Sequence, residues 1–229
     1  MLEIAMIAAE EAGGEIMDVY DSNETIDYQE KSDQSPLTVA DKRSNDIIMH
    51  HLSKTGLNIL SEENDSISYN ERKEWGKFWL VDPLDGTKEF IKKNGEFTIN
   101  IALIKKNTPE LGIVYAPELK KCWYGTDAGS FTIENDITRK IQVNPNVQEP
   151  IKVVASRSHA SPMLEVFLNS INSYKLVNMG SSLKICLVAD GNADIYPRLA
   201  PTMEWDTAAA HAVLKFAGGS LVDLNTKKE

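Results

Sequence analysis

The first twenty residues carry apolar side chains at the spacing of a helix. These positions are Leu2, Met6, Ala9, Gly13, Ile16 and Tyr20. Acidic residues lie between them, so the segment is predicted to be an amphipathic helix whose apolar face packs against a core. Polar residues dominate 21–36, which predicts a hairpin or a mobile loop. Thr38 and Asp41 then precede a second helical pattern, which Gly56 terminates.

Short apolar runs follow the second helical pattern. They cover 57–60, 78–81, 97–105 and 111–116, and Pro, Gly and Asn punctuate the segments between them. Apolar runs of this length with such punctuation predict the strands of a sheet.

The pattern changes after 144–150, a segment with two prolines and two asparagines. Beyond it we predict strands at 151–155, 176–177, 193–196 and 220–223, alternating with helices at 161–170, 182–190 and 204–216. The chain is therefore predicted to form two mixed α and β subdomains, 1–147 and 148–229. A join between subdomains is a common place for a ligand pocket.

Composition excludes several classes of partner. The 229 residues are 42% hydrophobic, as in a soluble globular protein, and carry a net charge of -10. This charge opposes binding to nucleic acid or anionic lipid, since both require clustered Lys and Arg.

Cys122 and Cys186 lack the spacing of a zinc or redox site. No signal peptide is recognisable, and no apolar run approaches the roughly 20 residues of a membrane span, so we expect a cytoplasmic protein.

Two aspartates flank a proline turn directly after an apolar run. Asp82 and Asp85 lie three residues apart in the stretch WLVDPLDGT, which begins at Trp79. Carboxylates placed together repel each other, and a shared hard cation with oxygen ligands relieves that repulsion. The spacing therefore predicts a magnesium-type site.

Further acidic residues are candidates for the same site. Glu62 and Glu63 follow the run at 57–60, and strand ends in layered α/β folds open onto crevices, although tandem glutamates are more typical of a solvated surface. Asp206 begins an alanine-rich helical segment. It is either an N-terminal cap or a ligand beside first-turn amides that help hold a phosphate. Spacing alone leaves both roles open.

Several sequence blocks together resemble the inositol monophosphatase superfamily. The central ones are DPLDGT at 82–87, Glu62-Glu63 upstream and Trp205-Asp206 downstream. The extension KEFI at 88–91 and the block NGEFT at 94–98 narrow the resemblance to the CysQ branch. Further blocks in family order are SPLTVAD at 35–41, SRSH at 156–159, GSSLK at 180–184 and YPR at 196–198.

The resemblance implies both a fold and an activity. The fold is an α/β (α+β) layered α-β-α-β-α sandwich of the inositol monophosphatase and sugar phosphatase type. The activity is that of a 3'(2'),5'-bisphosphate nucleotidase, which removes the 3'-phosphate of adenosine 3',5'-bisphosphate to leave AMP. Two or three Mg²⁺ ions and sensitivity to lithium are further family expectations.

The resemblance also implies roles for individual residues. The metal ligands would be Glu62, Asp82, the Leu84 carbonyl, Asp85 and Asp206. Thr87, together with a glutamate such as Glu62, would orient the attacking water. Asp41 matches a family acid assigned to a third ion or to proton transfer, and its alternative is a helix N-terminal acid.

Substrate contacts are implied for a further set of residues. The set is Gly86, Thr87, Ser156, His159, Gly180, Ser181, Lys184 and Arg198. Gly86 would permit a tight turn and close approach of a phosphate. Arg157 and Arg198 each have the geometry to fork onto a phosphate, and an internal carboxylate partner is the alternative for both. His159 has the alternative of a loop residue satisfied by hydrogen bonds.

Two other functions compete with the nucleotidase. The first uses the same metal chemistry on inositol phosphates or fructose 1,6-bisphosphate, and the extension KEF at 88–90 argues against it. The second is a noncatalytic cation-binding protein. The expected partner is a small-molecule nucleotide bisphosphate. The oligomeric state, monomer or homodimer, and any peripheral association with the inner membrane are left open.

Relatives usually continue past 224–229 to a strand with an Asn-Pro motif, so we expect an exposed sheet edge here.

Overall fold

The computed structural model describes residues 1–22, 26–31, 35–64, 67–157 and 162–227. Its helices are α1 (Leu2–Tyr20), α2 (Val39–Ser53), α3 (Tyr69–Arg72), α4 (Thr87–Ile91), α5 (Pro162–Asn169), α6 (Leu183–Ala189) and α7 (Glu204–Phe216). Its strands are β1 (Tyr28–Glu30), β2 (Pro36–Thr38), β3 (Asn58–Ser61), β4 (Lys77–Asp85), β5 (Thr98–Lys105), β6 (Thr108–Ala116), β7 (Lys121–Thr126), β8 (Gly129–Glu134), β9 (Ile137–Ile141), β10 (Ile151–Ser156) and β11 (Tyr174–Met179).

A seven-stranded sheet lies at the centre, in the order β3-β4-β5-β6-β7-β8-β9. β3 runs parallel to β4, and each later pair of neighbours is antiparallel. β1 and β2 form a separate antiparallel hairpin, which is one of the two alternatives predicted for the polar stretch at 21–36. β10 and β11 pair in parallel across α5. The ends of β3 and β4 that carry the acidic residues therefore lie side by side.

Helices cover both faces of the central sheet. Trp79 and Val81 of β4 pack against α1 and α2 on one face, whereas Phe78 and Leu80 pack on the other face with α6 and α7. Successive strand side chains point to opposite faces, so a strand buried on both faces is a continuous apolar run. α6 also contacts β10, so the two-stranded sheet of β10 and β11, here called the small sheet, packs against this helix layer. The result is a layered arrangement of helices and sheets.

Glycines in the sheet allow α7 to approach it closely. A Cβ at Gly112 would lie 2.1 Å from the Ala209 carbonyl oxygen, and a Cβ at Gly125 would lie 2.7 Å from that of Ala212. We call the sheet surface at Gly112 and Gly125 the seat of α7. The alanine-rich sequence of α7 fits this surface, because small side chains on both sides shorten the distance between helix and sheet. The seat fixes the height of Asp206, in the first turn of α7, above the sheet.

Two predicted strands are wrong. At 193–196 there is only a single bridge between Ile195 and Val153, and Pro197 follows, which cannot donate to a ladder. At 220–223 the chain is irregular, because the Asp223 carboxylate accepts the backbone N–H groups of Asn225 at 3.0 Å and Thr226 at 2.7 Å. Such side-chain bonds compete with a strand.

The remaining predicted elements are confirmed, with shifted boundaries. The helix at Glu204–Phe216 has the predicted bounds, whereas β4 runs four residues beyond the predicted strand, to Asp85. The sequence interpretation missed β7, β8, β9 and the short helices α3 and α4. Among the described residues, no helix has the length and apolar character needed to cross a membrane.

Candidate metal centre

A bulge at the end of β4 presents its two aspartates. Asp82 pairs with Asn100 and Asp85 pairs with Thr98, so the register shifts by one residue across Pro83 and Leu84. An extra residue in one strand bends it locally and redirects its side chains. Proline suits a bulge because it has no N–H to donate to the ladder. Both carboxylates are thereby delivered to one end of the sheet.

Three carboxylates from separate parts of the chain converge there. Glu62, Asp82 and Asp206 each have an oxygen within 4.8 Å of the oxygens of the other two. Glu62 comes directly after β3, where its N–H donates to the Val81 carbonyl at 3.1 Å. Carboxylate oxygens at this spacing fit a hard divalent cation. This group of three contains residues that the sequence predicts to be metal ligands, and Asp85 lines the same cleft.

The protonation equilibria of these acids reflect their crowding. Burial raises the pKa of Asp82 well above its ordinary value, and the charges of Glu62, Asp85 and Asp206 raise it further. Burial also raises the pKa of Asp85, to about 7, although the Lys184 charge opposes the shift. Carboxylates that resist ionisation for these reasons are stabilised when a cation joins them. The donor set and its charge therefore fit a divalent metal.

Thr87 connects the bulge to the N-terminus of α2. Its hydroxyl lies 3.2 Å from the Leu84 carbonyl oxygen and 3.3 Å from Asp41 Oδ1. The other Asp41 oxygen accepts the Thr38 N–H at 2.7 Å and the Thr38 hydroxyl at 2.6 Å, forming the capping box of α2. Asp41 is 1% exposed. Its helix-capping alternative is thus observed, together with a contact to Thr87.

Asp206 likewise combines two roles that the sequence leaves as alternatives. Its carboxylate accepts the Thr202 hydroxyl at 2.7 Å and the Met203 N–H at 3.1 Å, so it caps α7. It also belongs to the cluster with Glu62 and Asp82. The two roles are compatible because a carboxylate has about four lone-pair sites.

Lys31 is a residue of this site that the sequence interpretation missed. Its ammonium lies 2.8 Å from Glu62 Oε1 and 2.5 Å from Glu63 Oε1. Burial raises the pKa of both glutamates, and Lys31 partly offsets that shift. A lone lysine in a polar stretch gives no sequence signal of such a contact, since the contact depends on how the β1–β2 hairpin folds back.

One cleft collects most of the predicted substrate residues. Its lining includes Gly86, Thr87, Ser156, Gly180, Ser181, Lys184 and Arg198, together with Glu62, Asp82, Leu84, Asp85 and Asp206. Asp41 lies behind Thr87 and does not belong to this lining. His159 falls outside the described residues. The second half of the chain thus contributes one wall of the cleft and the β3–β4 end of the central sheet contributes another.

Ser182, in the middle of the GSSLK block, contacts the predicted metal ligand Asp85 directly. The Ser182 N–H donates to Asp85 Oδ2 at 2.5 Å. Lys184 is 7% exposed, its ammonium donates to the Ser181 carbonyl, and it lies 5.5 Å from the centre of the Tyr196 ring. Burial lowers the pKa of Lys184, and the Asp85 charge opposes this shift.

The two candidate arginines have internal partners. Arg157 forks onto Glu96, with Nε at 2.8 Å from Oε2 and Nη2 at 2.6 Å from Oε1. Arg198 donates to the Pro201 carbonyl at 2.7 Å and still lines the cleft. The internal-carboxylate alternative is therefore observed for Arg157, whereas Arg198 has a backbone partner.

The model of the inositol monophosphatase family matches residues 1–229. The chain belongs to the inositol monophosphatase family. Enzymes of this family use divalent metals, in agreement with the acidic cluster. The resemblance inferred from the sequence blocks is confirmed over the whole chain.

Within the family, the chain is similar to curated proteins named CysQ. The chain is 44% identical over 229 residues to a 3'(2'),5'-bisphosphate nucleotidase CysQ of Salmonella typhimurium, covering 99% of this chain and 92% of that protein. It is 34% identical over 228 residues to the nucleotidase CysQ of Haemophilus influenzae, covering 97% and 84%.

Solved structures confirm the predicted fold. The crystal structure of CysQ from Bacteroides thetaiotaomicron has a TM-score of 0.82 at 39% identity, covering 94% of this chain and 86% of that one. An IMPase from Thermotoga maritima has the same TM-score of 0.82 at 23% identity and shares the fold, covering 100% and 87%. The layered sandwich expected from the resemblance is thus the fold of this chain.

Proposed function

We propose that this chain is a magnesium-dependent 3'(2'),5'-bisphosphate nucleotidase. It hydrolyses the 3'-phosphate of adenosine 3',5'-bisphosphate to give AMP and phosphate. The observation that carries the proposal is the convergence of Glu62, Asp82 and Asp206 within 4.8 Å in a cleft that Thr87 also lines. The 44% identity to nucleotidases named CysQ supports the choice of substrate.

The cofactor in this proposal is Mg²⁺, in two or three copies. The proposed ligands are oxygen atoms that line one cleft. They belong to the carboxylates of Glu62, Asp82, Asp85 and Asp206 and to the Leu84 carbonyl. Bound Mg²⁺ supplies the positive charge that phosphate-monoester hydrolysis needs at the attacking water, the phosphoryl oxygens and the leaving oxygen.

The residues of the chain position the reacting groups. Thr87 and Glu62 together orient the attacking water, and the Thr87 hydroxyl lies 3.3 Å from Asp41 Oδ1. The water oxygen bonds to phosphorus while the bond from phosphorus to the ribose 3'-oxygen breaks. The water gives up a proton, and the ribose oxygen leaves as a hydroxyl, so the protons balance.

The remaining lining residues would bind the nucleotide. Gly180 and Ser181 offer backbone close to the ligand, and Lys184 and Arg198 offer positive charge to a phosphate. Ser156 lines the same wall, and His159 stays a proposed contact outside the described residues. The extension at 88–90 favours a nucleotide over inositol phosphates, since it is part of the CysQ pattern.

The test is phosphate release from three esters, each with Mg²⁺ and with a chelator. The esters are adenosine 3',5'-bisphosphate, inositol 1-phosphate and fructose 1,6-bisphosphate. We expect the nucleotide to have the highest kcat/KM and the chelator to abolish turnover. A higher kcat/KM for either sugar phosphate would overturn the substrate assignment.

A single substitution tests the metal centre. Asp85→Asn should abolish turnover without unfolding the protein, because it removes one anionic oxygen and keeps the shape of the side chain. The matched control is Asp136→Asn in the turn between β8 and β9, where the side chain is exposed. Undiminished turnover in Asp85→Asn would rule out this metal site.

A further inference from the structure

Glu96 joins three segments that are distant in sequence. It precedes β5, and its Oε2 accepts the Gly180 N–H at 2.7 Å and Arg157 Nε at 2.8 Å. Arg157 follows β10 directly and also donates to the Asn178 carbonyl of β11 at 3.1 Å. One carboxylate of the first half of the chain therefore holds the ends of both strands of the small sheet.

The backbone at Gly180 packs directly on the residue that holds it. A Cβ at Gly180 would lie 2.8 Å from the Glu96 carbonyl oxygen and 2.9 Å from Glu96 Cβ. The next residue, Ser181, has a φ of 44°, in the left-handed region that non-glycine residues rarely adopt. Such a conformation persists only where the surroundings enforce it. Glu96 supplies the restraint on the N-terminal side of Ser181.

The C-terminal side of the same bend is held by other residues. The Ser182 hydroxyl lies 2.8 Å from that of Thr98 and donates to Asn100 Oδ1 at 2.7 Å. The Ser182 N–H is the group that contacts Asp85. Residues of β5 thus hold Ser182 beside Asp85, and Glu96 holds Gly180 on the other side of Ser181.

We propose that Glu96 is a positioning residue for the substrate, acting through its hydrogen bond to Gly180 and not through its ion pair with Arg157. It holds the backbone of Gly180 and Ser181 in the position in the cleft where that backbone contacts the substrate. The ion pair is the weaker contributor because Arg157 is 47% exposed at its side chain, and solvent screens such pairs. The inference rests on the proposed assignment of Gly180 and Ser181 to substrate binding.

Two substitutions separate the hydrogen bond from the ion pair. Glu96→Gln keeps the side-chain length and an oxygen for the Gly180 N–H but loses the charge. Glu96→Asp keeps the charge but withdraws the carboxylate by one methylene. We expect KM to rise about 10-fold or more in Glu96→Asp, in the range typical of losing an outer-shell contact. In Glu96→Gln we expect KM within about threefold of wild type, because a neutral acceptor is weaker but still present.

Other readouts distinguish positioning from a general structural role. We expect kcat and the calorimetric affinity for Mg²⁺ to stay within about threefold of wild type in both variants, because Thr98 and Asn100 still hold Ser182. Glu110→Ala is the matched control. Glu110 pairs with Lys77 and Lys105 at the opposite end of β4 and β5, so its loss should leave KM unchanged.

The reverse order of the two variants, with KM raised in Glu96→Gln and normal in Glu96→Asp, would overturn the proposal. So would a lower melting temperature with KM unchanged in both. KM is measured on whichever ester the wild-type protein hydrolyses, and AMP binding by calorimetry provides the same comparison without turnover. Preference for a sugar phosphate therefore contradicts the proposed function without deciding the role of Glu96.

Discussion

The Lys31 ammonium donates a 2.8 Å hydrogen bond to the Glu62 carboxylate. It donates a second bond, of 2.5 Å, to Glu63. Burial alone would lower the pKa of Lys31, but the bonds and charges of the two glutamates outweigh it and raise that pKa. An internal cation from the end of β1 therefore neutralises part of the acidic cluster beside the proposed metal ligands.

Removing this internal cation should make the protein more dependent on metal. In Lys31→Met, Glu62 and Glu63 lose their shared partner, and we expect the metal-free protein to lose about 1–3 kcal/mol of unfolding free energy. The increase in melting temperature on adding Mg²⁺ should be larger than in wild type, because the cluster is more negative. Melting curves in chelator and in excess Mg²⁺ measure both effects.

Lys54→Met is the control for the Lys31 substitution, since Lys54 is exposed at the end of α2. It should leave both melting temperatures near those of wild type. An Mg²⁺-induced shift of the same size in Lys31→Met and wild type would show that Lys31 does not offset the charge of the cluster.

The stability of the metal-free protein should fall as pH rises. The folded-state pKa of Asp85 is raised to about 7, and that of Asp82 is raised well above its ordinary value. The folded state therefore binds more protons than the unfolded state from about pH 4 upwards, and stability decreases with pH in that window. In chelator, we expect a lower melting temperature at pH 7.5 than at pH 5.5.

Mg²⁺ should reverse this trend, because it replaces the protons as the counter-charge of the cluster. Its stabilising effect should be larger at pH 7.5 than at pH 5.5. Asp82→Asn provides the control, since it removes one of the crowded acids and should flatten the dependence in chelator. An equal pH dependence in wild type and Asp82→Asn would contradict the assignment of this trend to the cluster.

Sequence reasoning identified the residues of the site better than the contacts between them. The spacing of Asp82 and Asp85 predicts a cation site, whereas Glu62 and Asp206 were expected as ligands through the family resemblance, and Glu62, Asp82 and Asp206 do converge. The contacts of Lys31 and Glu96 were missed. Both depend on how a polar segment folds against distant backbone, and neither hydrophobic period nor local spacing encodes that arrangement.

The strands that escaped prediction have a similar cause. The residues of β9 are almost all exposed, and those of β8 alternate between half-buried and buried until the exposed Glu134. Their place in the sheet comes from antiparallel pairing with neighbours, which short-range pattern does not reveal. The two predicted strands that failed, at 193–196 and 220–223, have apolar residues but no continuous partner among the described strands.

The Thr87 hydroxyl is predicted to contribute to turnover and not to folding. Thr87→Val keeps the shape of the side chain but removes the group that lies near Leu84 O and Asp41. We expect kcat to fall about 10²-fold or more, the scale of losing a group that assists proton transfer. Melting temperature and Mg²⁺ affinity should stay near those of wild type.

Thr87→Ser is the matched variant, since it restores the hydroxyl without the methyl group. It should retain most of the wild-type kcat. Comparable kcat values in the valine and serine variants would remove Thr87 from the proposed mechanism.

The seat of α7 on the sheet should couple stability to metal affinity. A Cβ at Gly112 would meet the Ala209 carbonyl oxygen at 2.1 Å and Ala212 Cβ at 2.7 Å. In Gly112→Ala, α7 must therefore move away from the sheet, and we expect a loss of about 1–3 kcal/mol, the usual cost of overpacking. Because Asp206 lies in the first turn of this helix, the same movement should weaken Mg²⁺ binding.

Gly14→Ala separates this effect from the general consequence of replacing a glycine. Gly14 lies in α1, and a Cβ there meets nothing within 4 Å, so we expect stability to rise by up to about 1 kcal/mol with Mg²⁺ affinity unchanged. Chemical denaturation and calorimetry measure the two quantities. If Gly112→Ala lowers stability but binds Mg²⁺ as wild type does, then the height of α7 does not determine where Asp206 meets Glu62 and Asp82.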